Sequence, residues 1–381
     1  MKYRKFGRLD WRASALGFGA MRLPVIDGDP ARIDEAEAIR MMRYAIDQGV
    51  NYVDTAYVYH RGNSEALVGK ALEDGYRKKV KLATKMPTWM VNSQADMDRF
   101  LDEQLGRLQT DSIDLYLLHG LNRERWPKLR DLNVLEWAES AVADGRIGHL
   151  GFSFHDEYEL FREIVDGYDG WVLSQIQYNY MDVEYQAGTR GLRYAASKGL
   201  AVVVMEPIAG GKLAIPPPPA IQAIWDEAEV KRTPAEWALQ WVWNQPEVSI
   251  ALSGMSTMDQ VAENVESASR SGPGTLSDAE LKLIARVREK YPEYGFVGCT
   301  GCGYCTPCPE GVDIPRIFDL YNEYHRRGRD GAIVRRYGET VAPGERAGRC
   351  ARCGECEALC PQQLPIRDLL SKAARIFESE G

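Results

Sequence analysis

Over about 270 residues the chain alternates short apolar runs with segments whose apolar positions return every three or four residues. Residues 15–19, Ala-Leu-Gly-Phe-Gly, read as a first buried strand. In 34–48, Ile39, Met42, Ala45 and Ile46 fall at helical spacing and Gly49 provides a stop. The beat continues with strand 50–54, helix 64–73, strand 80–84, helix 93–108 and strand 113–118. Helix 133–143, strand 147–152, helix 157–165, strand 172–177, helix 187–197 and strand 201–205 follow. A proline run at 216–219 leads into helical material up to residue 244, then strand 248–252 and helix 257–268. Residues 2–7 read as a short strand at the bottom of the assembly.

Eight strand-helix units predict an α/β fold, a closed (β/α)8 TIM barrel. A doubly wound open sheet is the competing arrangement. It would want a Gly-x-Gly-x-x-Gly turn after a strand, and the sequence has none. A Gly-Pro-Gly loop at 272–274 opens one more helix over 277–290, and a boundary is expected near Tyr291-Pro292. The expected division is a barrel over 1–290 and a small helical domain over 291–381, with helices at 314–326 and 364–377.

Composition narrows the function. At 381 residues and 45% hydrophobic, the chain can bury a sizeable core. A net charge of -8 argues against a nucleic-acid partner, which needs clustered Lys and Arg. No apolar run approaches the roughly 20 residues of a membrane span, and no signal peptide is evident, so a cytoplasmic protein is expected.

The barrel's chemistry is expected where strands end, because side chains from different strands converge at that mouth. Asp54, Tyr59, Lys85 and His119 all fall there, although singly Asp54 also reads as a helix cap, Tyr59 as a rim aromatic and His119 as a core group. Together they make chemical sense. A phenol with a pKa of about 10 is a poor acid at neutral pH, and a nearby ammonium lowers it. A carboxylate would hold that ammonium, and an imidazole could orient a carbonyl oxygen. His60 and His155 are further pocket candidates, as are the aromatics Tyr57, Trp89, Trp126 and Tyr178.

These residues, with Asp54-Thr55-Ala56-x-x-Tyr59, Ser64-Glu65, Ala83-Thr84-Lys85, His119, Gly151-Phe152-Ser153, Gln175-x-x-Tyr178-Asn179 and Glu263-Asn264, resemble the aldo/keto reductases over about residues 1–290. The resemblance implies a nicotinamide cofactor, NAD(H) or NADP(H), and a small carbonyl or alcohol substrate. It makes Tyr59 the general acid, with Lys85 and Asp54 tuning it and His119 orienting the carbonyl. Ser153 and Gln175 match residues that hold the carboxamide, Met205 replaces the usual stacking aromatic, Glu206 and Gly254 lie along the cofactor path, and Glu263 and Asn264 match the adenine end. The sequence departs from the pattern at Phe154, where Asn is common. It departs again at 253–260, where NADPH users supply a Lys or Arg and this chain has no basic residue. NADH use, or weak nicotinamide binding, is therefore expected.

All eight cysteines lie beyond residue 298. Cys299, Cys302, Cys305 and Cys308 stand at two-residue intervals before a proline. Cys350, Cys353, Cys356 and Cys360 repeat the theme with a three-residue final gap. The spacing suits two [4Fe-4S] clusters better than two zinc sites, and it resembles helical two-cluster ferredoxin modules. The swapped pattern of those modules implies Cys299, Cys302, Cys305 and Cys360 on one cluster, and Cys350, Cys353, Cys356 and Cys308 on the other. The short Cys305 to Cys308 gap departs from the common spacing.

The expected activity is carbonyl-alcohol interconversion by hydride transfer, the clusters serving structure or electron transfer with a redox partner. Hydride transfer moves two electrons and a cubane one, so direct exchange without a flavin is awkward. The alternatives are an electron-transfer protein whose barrel binds a ligand or partner, and a cluster-fed reductase that does not use free NAD(P)H.

Overall fold

A computed structural model describes residues 1–378. Tyr3–Lys5 (β1) and Arg12–Ser14 (β2) pair as an antiparallel hairpin. The alternating series then runs Leu16–Gly19 (β3), Glu35–Asp47 (α1), Tyr52–Asp54 (β4), Ser64–Ala71 (α2), Lys81–Met86 (β5), Gln94–Leu108 (α3) and Ile113–Leu121 (β6). It continues with Arg125–Asp131 (α4), Val134–Ala143 (α5), Ile147–Phe154 (β7), Tyr158–Asp166 (α6), Leu173–Gln177 (β8), Gly188–Ser197 (α7) and Ala201–Met205 (β9). Pro219–Trp225 (α8), Pro234–Trp243 (α9), Val248–Gly254 (β10) and Met258–Ser269 (α10) follow. Strands β3 to β10 close into one parallel barrel, β10 pairing with both β9 and β3. The fold is the expected (β/α)8 barrel.

Local chemistry sets the boundaries. Asp34 caps α1 by accepting the Glu37 amide at 3.2 Å. At α3, Ser93 Oγ accepts the Asp96 amide while the Asp96 carboxylate accepts the Ser93 amide, a reciprocal capping box. The barrel interior is filled by residues such as Tyr52, Leu115, Leu117, Leu173, Val203 and Ile250, and Phe6 and Ala13 of the hairpin belong to the same core. Gly7 has φ of +52°, and a Cβ there would lie 2.4 Å from the Ala201 amide, so only glycine lets the hairpin sit against the start of β9. The hairpin closes the amino end of the strands, and the carboxyl end is left for chemistry.

The chain forms two compact units, Met1–Pro207 with Leu239–Thr275, and Ile208–Ala238 with the residues from Leu276 on. The first holds the whole barrel. The second contains α8, part of α9, Asp278–Lys290 (α11), Ile314–Arg326 (α12), Gly331–Thr340 (α13), Glu355–Leu359 (α14) and Ile366–Phe377 (α15). Its core is Ile317, Phe318, Tyr321, Leu370 and a stacked Tyr337–Phe377 pair with ring centroids 4.5 Å apart. Among the described residues no helix is long and apolar enough to cross a membrane.

Candidate active site and cysteine centre

The site is built around a buried cation. Lys85 is 0% exposed, and each of its three N–H groups has an acceptor. Its Nζ donates to Asp54 Oδ1 at 2.5 Å, to the Thr55 carbonyl at 2.8 Å and to the Tyr59 hydroxyl oxygen at 3.2 Å. An ammonium has no lone pair to offer. The Tyr59 oxygen must therefore be the acceptor, and its own proton is directed away from Lys85. Burial lowers the Lys85 pKa, and Asp54 opposes that shift. Burial likewise raises Asp54 against the pull of Lys85.

His119, buried in β6, presents its ring edge-on to Tyr59 with centroids 6.0 Å apart. Burial first, then the charges of Lys85, His155 and Arg125, hold its pKa well below the ordinary value, so the imidazole is neutral at neutral pH. Thr88 Oγ1 donates to the His119 carbonyl at 2.5 Å and fixes the strand there. Asp54, Tyr59, Lys85 and His119 thus meet at the carboxyl ends of β4 to β6.

Two devices hold this geometry. Behind Lys85, Glu65 is fully buried and accepts from Thr84 Oγ1 at 2.7 Å, Gln104 Nε2 at 2.6 Å and Arg107 Nη1 at 3.3 Å. Gln104 also donates to the Lys85 carbonyl at 3.1 Å. Beside Tyr59, His60 and Arg61 adopt left-handed backbone at φ of 51° and 55°. The imidazole of His60 serves the loop that leaves β3, accepting the Leu23 amide at 3.1 Å and donating to the Pro30 carbonyl at 2.9 Å. Both ring nitrogens of this pocket candidate are thereby engaged with backbone.

The other candidates separate. Trp89 lies beside His119, centroids 5.1 Å apart, with the Arg125 guanidinium 5.0 Å over its ring. Arg125 donates to the Gly120 carbonyl at 2.8 Å, and His155 Nδ1 meets Gln186 Oε1 at 3.2 Å. Trp126 packs with Trp171 and Tyr178 with Trp241, both in the core. The Tyr57 hydroxyl donates to Glu103 at 2.7 Å.

Ser153 and Gln175 are register partners on β7 and β8. Ser153 Oγ accepts the Gly120 amide at 2.8 Å. Gln175 Nε2 lies 4.0 Å from the Met205 sulfur, while Gln175 Oε1 is buried and has no hydrogen-bond partner among the described residues. Asn264 donates to Ser253 Oγ at 3.1 Å, and Glu263 is half-buried one residue earlier. Glu206 sits directly after β9 at φ of 55°. Gly254, the last residue of β10, lies under the side chain of Arg22, from the loop after β3. Arg22 and Gln104 were not anticipated from sequence, and Glu65 was marked only by the Ser64-Glu65 motif, with no role attached. No local pattern marks Arg22 or Gln104, since their partners are remote along the chain.

In the second unit the thiols form two neighbourhoods. Cys305 is pushed up to about 12 by burial and by the thiols of Cys302, Cys299 and Cys360. Cys356 is pushed up to about 11 by burial, by Glu357 and by the thiols of Cys350, Cys353 and Cys308. Each neighbourhood takes three sulfurs from one motif and one from the other. Among the described residues no three such donors crowd one point tightly enough for a single metal ion. The segment after β9 joins this region: Lys212 donates to the Val297 carbonyl at 2.8 Å, and a Cβ on Gly210 would lie 2.5 Å from the Thr300 carbonyl.

A parallel barrel with this tetrad at its mouth defines a class, and residues 15–289 match the model of the aldo/keto reductase family. The chain belongs to that family. Residues 298–364 match the 4Fe-4S dicluster domain. Among curated relatives, the uncharacterized oxidoreductase YrpG of Bacillus subtilis is 32% identical over 56% of this chain and 68% of its own. The 6-dehydroglucose reductase of Novosphingobium aromaticivorans is 27% identical over 69% of this chain and 89% of its own. The holo form of aldo-keto reductase AKR11C1 from Bacillus halodurans superposes with a TM-score of 0.62 at 30% identity, covering 75% of this chain and 96% of that one.

The residues present fit the groups these matches imply. A buried acceptor without a partner costs about 1–3 kcal/mol, and Gln175 Oε1 beside Ser153 is placed to take an amide N–H from outside the chain, as a nicotinamide carboxamide offers. Eight thiols in two neighbourhoods, with Cys299, Cys305, Cys308, Cys350, Cys356 and Cys360 packed against an apolar core, fit two iron-sulfur clusters.

Proposed function

We propose that the protein interconverts a carbonyl and an alcohol with a nicotinamide cofactor, Tyr59 acting as general acid in reduction and general base in oxidation. The observation that carries this reading is the Lys85 ammonium, held by Asp54 and donating to the Tyr59 oxygen at 3.2 Å. A cation in that position favours the phenolate and so makes the phenol a better acid. Tyr59 delivers its proton to the carbonyl oxygen, and Lys85 and Asp54 stabilise the charge left behind. Neutral His119 hydrogen-bonds the same oxygen and fixes the carbonyl's orientation. When bound, the nicotinamide supplies or accepts the hydride. Ser153 and Gln175 hold its carboxamide, with Met205 and Glu206 alongside and Glu263 and Asn264 at the adenine end. The name of one relative, 6-dehydroglucose reductase, supports sugar-like carbonyl compounds as the substrate class.

Tyr59→Phe tests the reading. The phenol proton is lost while the ring stays, so kcat should fall by roughly 10²- to 10⁴-fold with the iron content and visible absorbance of the tail unchanged. Turnover within a few-fold of the wild type would refute Tyr59 as the proton donor and favour a protein whose barrel only binds a ligand.

A further inference from the structure

The segment after β10 lacks a basic side chain, yet the fold brings one there from the other end of the chain. A Cβ built on Gly254 would lie 3.1 Å from Cβ and Cγ of Arg22 and 3.2 Å from its Cδ, so the arginine stem lies flat on the end of β10. Its backbone is tied to the same place, the Arg22 carbonyl accepting from Ser256 Oγ at 2.8 Å. On the far side Arg22 Nη2 stands 3.8 Å from Glu206 Oε1, the two side chains being 28% and 14% exposed. Glu206 is itself fixed, with left-handed backbone and its carbonyl accepting from Asn179 Nδ2 at 3.1 Å. A partly dehydrated cation therefore reaches from the loop after β3, over β10, toward the loop after β9. At 3.8 Å the pair attracts without making a hydrogen bond. A phosphate oxygen approaching the guanidinium could form the shorter, charge-assisted bond that Glu206 does not.

We infer that Arg22 receives a phosphate oxyanion of the nicotinamide dinucleotide, replacing the basic residue absent from 253–260, and that Glu206 holds the guanidinium in place until the dinucleotide arrives. This rests on the cofactor reading above. The phosphate belongs either to the pyrophosphate common to both dinucleotides or to the 2′-phosphate of NADPH.

Equilibrium titration of the full-length, cluster-loaded protein with NADH and with NADPH, followed by nucleotide fluorescence, reads the dissociation constants without turnover. Arg22→Met should weaken binding roughly tenfold or more. Loss for both nucleotides identifies the pyrophosphate, and loss for NADPH alone identifies the 2′-phosphate. Arg22→Lys, which keeps the charge and loses the fork, should fall between and guards against a folding defect in the first variant. Glu206→Gln removes the competing carboxylate and should tighten binding. A wild type that binds while Arg22→Met binds equally well would overturn this inference alone, as would Glu206→Gln weakening binding as much as Arg22→Met, which would mark the pair as a structural prop. A wild type that binds neither nucleotide would overturn this inference and the cofactor reading together.

Discussion

Lys85 is the most tightly constrained residue of the proposed site, because a buried ammonium survives only where every N–H is matched. Three acceptors surround it, one from Asp54 at the end of β4 and two, the Thr55 carbonyl and the Tyr59 hydroxyl, from the segment after it. Losing one partner of such a buried pair typically costs about 3–5 kcal/mol, so Asp54 is at once a support of the fold and part of the site. The two histidines of the mouth set a pH dependence. Burial holds His155 at about 4 against an ordinary 6.5, and His119 is depressed in the same direction. A histidine depressed in the folded state takes up protons on unfolding, so its burial lowers stability as pH falls through the window between the two values. The thermal midpoint should be flat above about 6.5 and decline toward pH 4, and His155→Asn should reduce that decline. Scanning calorimetry of both proteins across this range checks it. An unchanged slope in the variant would show that His155 does not titrate as its surroundings imply.

At the scale of elements, the strand-helix alternation was legible because buried strands are short apolar runs and helices carry an apolar stripe. Its failures have local causes. Strands β6 and β7 run past the apolar stretches, through His119, Gly120 and Ser153, because backbone pairing continues to Leu121 opposite Phe154. Helix α4 was unforeseen, since Arg125-Trp126-Pro127-Lys128 has too few apolar positions to show a period, although Trp126 and Leu129 are buried. Hairpin partner β2 was missed for the same reason: three residues carry no pattern. The N-terminus of α3 was readable from Ser93. Ser93→Ala removes an N-cap oxygen and should cost about 1 kcal/mol, seen as a lower urea midpoint with unchanged m-value. No change would mean that Asp96 alone satisfies that end of the helix.

For the whole molecule, the two compact units do not correspond to a single cut in sequence, because the stretch Ile208–Ala238 belongs with the cysteine-bearing part. Within that part each thiol neighbourhood borrows one cysteine from the other motif. If the borrowed sulfurs are ligands, Cys308→Ser should disturb the cluster held by Cys350, Cys353 and Cys356 and leave the one held by Cys299, Cys302, Cys305 and Cys360 intact. Iron analysis with electron paramagnetic resonance of the reduced protein distinguishes the two. Loss confined to the first motif's own cluster would contradict the crossed arrangement.

Sequence alone determined the barrel, through the period of its apolar residues, and the iron-sulfur tail, through the intervals between cysteines. Both are encoded by spacing along the chain. The convergence of Asp54, Tyr59, Lys85 and His119 was also legible, since each sits near the end of a strand. Only the tertiary structure could decide which acceptors surround Lys85, that His60 serves a loop, and that Glu65 and Gln104 stand behind the cation. It alone places Arg22, near the start of the chain, on Gly254. The contact between Arg22 and Gly254 depends on barrel closure, which sets β10 beside β3 and leaves no mark on the sequence near either residue.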